Sequence, residues 1–269
     1  ENDTTMIDIN VVNDYPLYGL NGEGVFFNFL NDFESNVGLE FNKLAYSKDS
    51  ELEDTTGYRF RVLNNEDELT NNDLLIATDG YIAIGKEYVR INRVKDMSNM
   101  TFGIFSSDTA EISYYLKTGT NLAFKSYDTI DELFASLDND EVDMIIIPNI
   151  MYLDKTIENN SYYINYYFTE MSKKLVLTLS SDESNARLNT IIKKYFEKWQ
   201  SENYVDEYNN VYFNYYISEN KVSSADATDL VKKNYVNGYV ENYPYEVEVD
   251  GEVSGIAGEY LNRMSRLTD

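Results

Sequence analysis

The chain has 269 residues and a formal net charge of −25, from 22 Lys and Arg against 47 Asp and Glu, and it contains neither His nor Cys. Without these two residues it has no Ser-His-Asp or Cys-His nucleophile, no imidazole-bound zinc or haem, and no disulfide or thiolate redox centre. The negative charge also disfavours nucleic acid and anionic membranes as partners, which leaves a binding protein or an enzyme that uses carboxylates, Lys, Tyr or a hard metal ion.

The first region is predicted to combine several strands with one helix. Alternation of β-branched residues at 7–12 predicts a strand, and the loop after it contains Tyr-Pro-Leu-Tyr-Gly at 15–19. Apolar residues at helical spacing predict a helix over 25–35. Further extended segments are predicted at 39–46, 58–63, 74–76, 80–84 and 88–94.

A second alternation of strands and helices begins at a predicted strand, 100–105. The sequence Ser-Ser-Asp-Thr at 106–109 has the groups typical of a helix start, and Asp128 is predicted to cap the next helix. Residues 142–147 are nearly all apolar, as in a central parallel strand. The other predicted elements are strands at 122–126, 163–168 and 175–179 and an amphipathic helix at 181–200. This pattern predicts an α/β fold with helices layered on mostly parallel sheets.

Two such sheets, joined by extended crossings near 85–97 and 170–182, would form two lobes with a cleft between them. Clefts of this kind are common small-molecule sites. The predicted first lobe is discontinuous, comprising 6–95 and 181–217, and the second lobe is an insertion at 96–180. Residues 218–234 are then a polar connection, and 235–269 are a partial repeat of the N-terminal strand and helix.

The repeat is carried by two Tyr-Pro turns. Tyr15-Pro16 is matched by Tyr243-Pro244, and after both a turn of Gly and acidic residues leads into an amphipathic helix. The apolar side of the second helix carries Ile256, Tyr260, Leu261 and Met264. The chain therefore contains one strand–turn–helix architecture and the opening of a second copy.

Over residues 6–216 these segments resemble the family 3 extracellular solute-binding proteins, which have the two-lobed type II periplasmic-binding fold. The Tyr-Pro turn followed by Gly24 looks like the family's first strand and ligand loop, and Asp79-Gly80-Tyr81 is similar to its strand ending in an aromatic residue. Segment 102–111 resembles the strand whose following helix offers free N–H groups to a ligand. Segment 140–149 resembles the strand that ends in an amine-binding carboxylate.

The departures from the family pattern concern its ligand clamp. Amino-acid binders of this family carry an Arg just after the third strand, whereas residues 64–68 here read Asn-Asn-Glu-Asp-Glu. The amine-binding Asp is replaced by Asn149. The resemblance therefore implies that the α-amino-acid clamp is lost at both ends, so that the ligand is altered or absent.

Nine residues are predicted to contact a ligand in the cleft. The helix start at 106–109 favours anions and polar groups, and the same groups also serve an ordinary helix cap. The three tyrosines either stack on an apolar or cationic ligand or pack within the protein. Asn149 is either a polar contact or a cap. The nine residues are Tyr15, Tyr18, Asp79, Tyr81, Ser106, Ser107, Asp108, Thr109 and Asn149.

No metal, cofactor or catalytic residue is predicted. The acidic run at 138–143 lacks the sixth-position Gly and the terminal Glu of an EF-hand, so we interpret it as a solvated turn. Gly251, Gly255 and Gly258 do not have dinucleotide-binding spacing. No spacing singles out a carboxylate pair for hydrolysis. We therefore predict a non-enzyme, and the third alternative is an enzyme resembling the dehydratases that share this fold.

The favoured function is an extracytoplasmic sensing module that binds a small polar ligand and signals by lobe closure to a membrane-anchored output domain. The resemblance implies that such tandem modules often precede a transmembrane helix and an output domain such as a diguanylate cyclase or a kinase. The alternative is a secreted or lipid-anchored receptor for an amino acid-like solute that serves an ABC permease. The expected partners are thus a small molecule and a membrane protein, and not nucleic acid.

Overall fold

The structure, a computed structural model, describes residues 6–46, 52, 55–116, 122–159, 161–234, 236, 238, 240–249 and 251–268. Its first part contains β1 (Met6–Val12), the short hairpin of β2 (Asp14–Tyr15) and β3 (Gly19–Leu20), α1 (Val25–Val37), β4 (Glu40–Tyr46) and β5 (Tyr58–Asn64). β1 lies between β4 and β5 and is parallel to both. Val25, Phe29 and Phe33 of α1 are buried, so the helical spacing read from the sequence marks the face that packs. We call these elements the first half.

The next part contains β6 (Asp73–Gly85), β7 (Thr101–Phe105), α2 (Thr109–Leu116), β8 (Ala123–Tyr127), α3 (Ile130–Asp138), β9 (Met144–Pro148), α4 (Asn149–Glu158) and β10 (Tyr163–Thr178). β7 lies between β8 and β9 and is parallel to both. All residues of β9 are buried, as expected for a central strand. We call β7 to β9 with α2 to α4 the second half.

Two long strands, β6 and β10, join the halves into one sheet. β10 pairs with β5 over Lys173–Thr178 and with β6 along most of its length, while β6 pairs with β9 over Tyr81–Ile84. The resulting order among the described residues is β4-β1-β5-β10-β6-β9-β7-β8. The prediction of two separate sheets is therefore wrong. The sheet is mixed and continuous, because β6 and β10 run antiparallel to each other and to their neighbours.

The extended segments predicted at 74–76 and 80–84 are one strand, and so are those predicted at 163–168 and 175–179. Residues 169–174 are too polar to read as a buried strand, yet they continue β10 across the junction with a register shift between Tyr167 and Ser172. The cap predicted at Asp128 is also wrong. Thr129 caps α3 instead, because its side chain accepts a hydrogen bond from the N–H of Glu132.

The chain then forms α5 (Ala186–Glu202), α6 (Tyr204–Glu219), α7 (Ser224–Lys232), the hairpin β11 (Val247–Val249) and β12 (Glu252–Ser254), and α8 (Gly255–Thr268). Phe196 and Trp199 of α5 pack edge-on against Phe29, so α5 returns to the first half. α6 is a helix that the sequence analysis missed. Among the described helices, none combines the length and the apolar composition of a membrane span.

The turn before α1 depends on Gly24, whose φ is 114°. A Cβ on Gly24 would lie 2.7 Å from the carbonyl oxygen of Leu17, and the N–H of Phe26 donates to the carbonyl of Tyr18 at 2.8 Å. The C-terminal turn has corresponding contacts. Gly255 has φ 85°, a Cβ on it would lie 2.5 Å from the carbonyl oxygen of Pro244, and the N–H of Ala257 donates to the carbonyl of Tyr245 at 2.9 Å.

Candidate functional site

A cavity of about 810 Å³ lies between the two halves of the sheet. The first half contributes Val12, Asp14, Tyr15, Tyr46, Val62 and Asn64 to its lining. The second half contributes Phe105, Ser106, Ser107, Asp108, Asp128, Pro148 and Met151. Lys173 lines it from β10, at the junction. This cavity lies where two lobes of an α/β fold are expected to form their cleft.

The sheet topology explains why these residues meet. Val12, Tyr46, Asn64, Phe105 and Pro148 are at or next to the carboxyl ends of five strands. The three strands of the first half are parallel to one another, the two of the second half are parallel to each other, and the two sets run in opposite directions. Asn64 at the end of β5 pairs with Lys173 of β10, Lys173 pairs with Asp79 of β6, and Pro148 at the end of β9 pairs with Tyr81 of β6, so the two sets of carboxyl ends meet at the middle of the long strands. Ligands of open α/β sheets bind outside the carboxyl ends of the strands. The opposed directions of the two sets of strands and their register on β6 and β10 thus place the loops from both halves around the same space.

The helix start at 106–109 borders the cavity as a short 3-10 turn that leads into α2. Ser106 and Ser107 are exposed and line the cavity. The Ser106 hydroxyl donates to the carbonyl of Tyr127 at 3.2 Å, and the Thr109 hydroxyl donates to the carbonyl of Phe105 at 3.4 Å. No side chain caps the 3-10 turn. The expected side-chain cap is therefore absent from this 3-10 turn, and contact of these hydroxyls with a ligand stays a prediction.

Asp108 is buried and binds Lys173 rather than facing open solvent. The Lys173 ammonium lies 2.9 Å from Asp108 Oδ1, and the Tyr81 hydroxyl donates to Asp108 Oδ2 at 2.9 Å. Tyr81 is fully buried, so it does not offer its ring to the cavity. Burial, followed by the nearby charges of Asp108 and Glu111, raises the pKa of the Tyr81 hydroxyl far above its ordinary value, so it remains a donor.

Tyr15 and Tyr18 differ in position although they are close in sequence. Tyr15 is half-buried and lines the cavity, and burial raises the pKa of its hydroxyl, which stays protonated. Tyr18 is buried away from the lining, where its hydroxyl lies 2.7 Å from that of Tyr204 on α6. The structure thus gives Tyr18 the packing role that the sequence analysis left open.

Asp79 of β6 contacts the start of α4, and Asn149 is the first residue of that helix. Asp79 is buried, and its Oδ2 accepts the N–H of Ile150 at 3.0 Å. Burial raises the pKa of this carboxyl to about 7. Asn149 makes no side-chain cap on α4, and its buried Oδ1 has no hydrogen-bond partner among the described residues. Neither residue is part of the cavity lining, and Asp79 instead binds the backbone at the first turn of α4.

Several charged and aromatic residues of this cavity are not predicted from the sequence. Asp14, Asp128 and Lys173 line it, as do Tyr46 and Phe105. The pairing of β10 with β5 places Lys173 opposite Asn64 and so brings it to the cavity. This pairing cannot be read from the residue pattern of either strand alone. Segment 66–68, where the family carries a cation, contributes no residue to the lining.

The cavity is acidic. Its lining contains the three carboxylates of Asp14, Asp108 and Asp128 and the single ammonium of Lys173. This ammonium is already paired with Asp108. Aromatic rings beside carboxylates are the surroundings that organic cations prefer. Within the described residues, no three acidic side chains converge as they would around a metal ion. The geometry therefore favours a small polar or cationic ligand.

Comparison with known proteins supports the fold. No protein-family model and no curated protein sequence matches the chain. Among solved structures, the amino acid ABC transporter substrate-binding protein AbpA from Streptococcus pneumoniae, bound to L-arginine, has a TM-score of 0.58 at 14% identity, over 79% of this chain and 95% of that one. The VFT2 domain of BvgS from Bordetella pertussis has a TM-score of 0.56 at 11% identity, over 79% and 94%.

A further substrate-binding protein of an amino acid ABC transporter has a TM-score of 0.56 at 12% identity, over 79% of this chain and 99% of that one. These similarities confirm the predicted two-lobed type II periplasmic-binding fold. Two of these neighbours are substrate-binding proteins of amino acid ABC transporters, and the third is a periplasmic VFT2 domain.

Proposed function

We propose that this chain is an extracytoplasmic binding module that holds a small polar ligand between its two halves and serves a membrane-anchored signalling protein. The observation that carries the proposal is the cavity of about 810 Å³ at the carboxyl ends of strands from both halves. A ligand that touches both halves stabilises the relative arrangement of the halves that it binds more tightly. The resulting change in the populations of the two arrangements is what is passed on as a signal.

The charge of the cavity supports a cationic ligand. A cation gains from Asp14 and Asp128, and its apolar part packs on Tyr15. A ligand carboxylate has no Arg to bind in the lining, and the ammonium of Lys173 is engaged by Asp108. AbpA was solved with L-arginine, which joins a cationic side chain to an α-carboxylate. We propose that the ligand here keeps the cation and lacks the carboxylate.

A thermal-shift panel built on matched pairs tests the binding role. Arginine and agmatine differ by one carboxylate, as do lysine and cadaverine. A compound present at 100 times its dissociation constant adds about 2.7 kcal/mol of apparent stability, or roughly 5 °C or more in the unfolding midpoint. We expect agmatine or cadaverine to shift the midpoint more than the parent amino acid. A larger shift with arginine and lysine contradicts the proposed ligand class.

Two variants separate binding in the cavity from general surface effects. Asp128→Asn removes a carboxylate that lines the cavity. Asp131→Asn removes an exposed carboxylate of α3 that lies outside the cavity lining. We expect Asp128→Asn to weaken the affinity for the ligand at least several-fold and so to reduce the thermal shift. We expect Asp131→Asn to leave both the affinity and the thermal shift unchanged. Equal shifts in both variants would place binding elsewhere.

The second candidate function is a receptor for an ABC importer, favoured by the similarity to AbpA and to another transporter protein. The two roles differ in what ligand binding changes. For a sensor, we expect a cavity ligand to alter the output activity of the full-length polypeptide. For an importer receptor, we expect loss of the protein to abolish uptake of that ligand by intact cells.

A further inference from the structure

Lys173 is surrounded in the way that proteins surround a bound amine. Its ammonium lies 2.6 Å from Asn64 Oδ1, 2.9 Å from Asp108 Oδ1 and 3.3 Å from Glu111 Oε2. The ammonium has three N–H donors, so three acceptors satisfy it. The ring of Tyr81 adds a cation–π contact, with its centroid 5.6 Å from the nitrogen.

These groups are largely withdrawn from water. The exposed fraction of the side chain is 9% for Lys173, 5% for Asp108 and 7% for Glu111. A buried pair of carboxylates requires a cation, because removing one partner of such a cluster leaves an uncompensated buried charge. The cluster is therefore built around the ammonium, and it does not tolerate an empty centre.

The acceptors belong to different halves of the molecule. Asn64 ends β5 in the first half, whereas Asp108 and Glu111 lie at the start of α2 in the second half. Beside them, the N–H of Asn65 donates to Glu111 Oε1 at 3.4 Å, and the Asn65 amide donates to the Tyr115 hydroxyl at 3.1 Å. The ammonium thus bridges the halves, as a ligand between two lobes does.

We propose that Asn64, Asp108 and Glu111 form a primary-ammonium subsite that the chain fills with its own Lys173, so that an internal cation holds the two halves together. The subsite accepts alkylammonium ions as a class, and Lys173 occupies it from within. Asn64, Asp108 and Lys173 also line the cavity. The inference concerns the ammonium position of Lys173 and does not depend on the identity of the cavity ligand.

The test replaces the internal cation by an external one. Lys173→Ala removes three methylene carbons and the ammonium, which n-propylammonium matches in size and charge. We expect the variant to unfold roughly 10 °C below the wild type. We expect n-propylammonium chloride at tens of millimolar to recover several degrees, compared with sodium chloride at equal ionic strength and with n-propanol. An equal effect of n-propylammonium on wild type and variant overturns the proposal.

Lys174 provides the matched control. Its ammonium donates to the carbonyl oxygens of Asn65 and Asp67, both outside the second half. We expect Lys174→Ala to gain no more from n-propylammonium than the wild type does. We expect the same of Lys173→Met, which fills the space without a charge. Rescue of either control overturns the proposal.

Solution X-ray scattering tests the bridging role. We expect the radius of gyration of Lys173→Ala to exceed that of the wild type and to return toward it with n-propylammonium. An unchanged radius shows that the cluster does not hold the halves. Should Lys173→Ala not fold, refolding yields in n-propylammonium and in n-propanol replace the unfolding midpoints, and equal yields overturn the subsite.

Discussion

Asp79 is a buried carboxyl group on β6. Lys173 is opposite it on β10, but the Lys173 ammonium binds Asn64, Asp108 and Glu111. Its Oδ2 accepts the Ile150 N–H, and burial raises its pKa from the ordinary 3.8 to about 7. Tyr15, whose hydroxyl stays protonated, lies within the range of its charge. At neutral pH this residue therefore opposes folding whenever it ionises, since the unfolded chain hydrates the same carboxylate.

The sign of the pH dependence follows from the raised pKa. Between about pH 4 and pH 7 the folded protein keeps a proton on Asp79 that the unfolded chain has released, so the free energy of unfolding falls as the pH rises through this window. A shift of this size corresponds to a loss on the order of 4 kcal/mol. We expect Asp79→Asn, which still accepts the Ile150 N–H, to flatten this fall in denaturant titrations at several pH values.

Asp73 is a control of the opposite sign. Burial works against its charge, yet hydrogen bonds from Thr178 and Thr70 prevail and lower its pKa. Its contribution is present at neutral pH and is lost as the pH falls through its lowered folded pKa. We therefore expect Asp73→Asn to change the acid limb and leave the slope between pH 4 and 7. A wild-type slope in Asp79→Asn would contradict the prediction.

At the scale of single elements, the starts of the helices determine how the loops reach the cavity. α1 begins at Val25, directly after a backbone turn that brings the β2–β3 hairpin, with Asp14 and Tyr15, to the cavity. α3 begins after Thr129, next to the cavity residue Asp128. A substitution at either helix start is therefore expected to alter the free energy of unfolding and the position of a residue that lines the cavity.

Gly24 is required by both its φ of 114° and its close contacts. In Gly24→Ala the new Cβ would lie 2.7 Å from the backbone oxygen of Leu17, so we expect a loss of about 3 kcal/mol or more in unfolding free energy. Gly22 has φ 82° and open space around its Cβ position, so Gly22→Ala is the control. We expect it to cost about 1 kcal/mol from φ alone. Equal costs would show that the contact is relieved by movement.

Thr129 and Asp128 distinguish a cap from a cavity residue. Thr129 accepts the Glu132 N–H at 3.2 Å, and the Glu132 side chain accepts the N–H groups of Thr129 and Asp128. We expect Thr129→Ala to lower the unfolding free energy by about 1 kcal/mol, as loss of a capping residue does. We expect Asp128→Ala to stay within about 0.5 kcal/mol, because its side chain is exposed. The reverse ranking in urea titrations would restore Asp128 as the cap.

For the whole molecule, the described structure has an uneven distribution of burial. Three hydrophobic clusters serve the two halves, and none contains a residue beyond 215. The C-terminal segment instead exposes large apolar side chains, with Tyr243 at 83% and Tyr260 at 73%. Its turn nevertheless has the contacts of the turn before α1, which supports the proposal that 235–269 are a partial repeat.

Deletion of residues 235–269 tests how independent this segment is. Because the described clusters exclude it, we expect the remaining chain to unfold within about 2 °C of the full one in a thermal scan. In the Lys173→Ala background, the truncated chain should still be stabilised by n-propylammonium through Asn64, Asp108 and Glu111. A loss of more than about 5 °C would show that the segment packs on the halves in solution.

Much of the fold is readable in the sequence because local periodicity reports burial. The spacing in α1 and the apolar run of β9 correspond to buried faces. α6 is not predicted from the sequence, although Tyr204, Tyr208 and Tyr212 recur at helical spacing. In the structure their rings pack on one another as well as on the core. Part of the cavity was also readable, namely Tyr15 and the segment 106–108.

The sequence by itself determined the α/β alternation, the packed face of α1, the two Tyr-Pro turns and the missing Arg after the third strand. The tertiary structure decided which of the candidates face the cavity and which are buried behind it. Lys173 reaches Asn64 across 109 positions of the chain and Asp108 across 65. Such contacts arise from strand order and register, which are set by the packing of the whole sheet, and no local pattern encodes them.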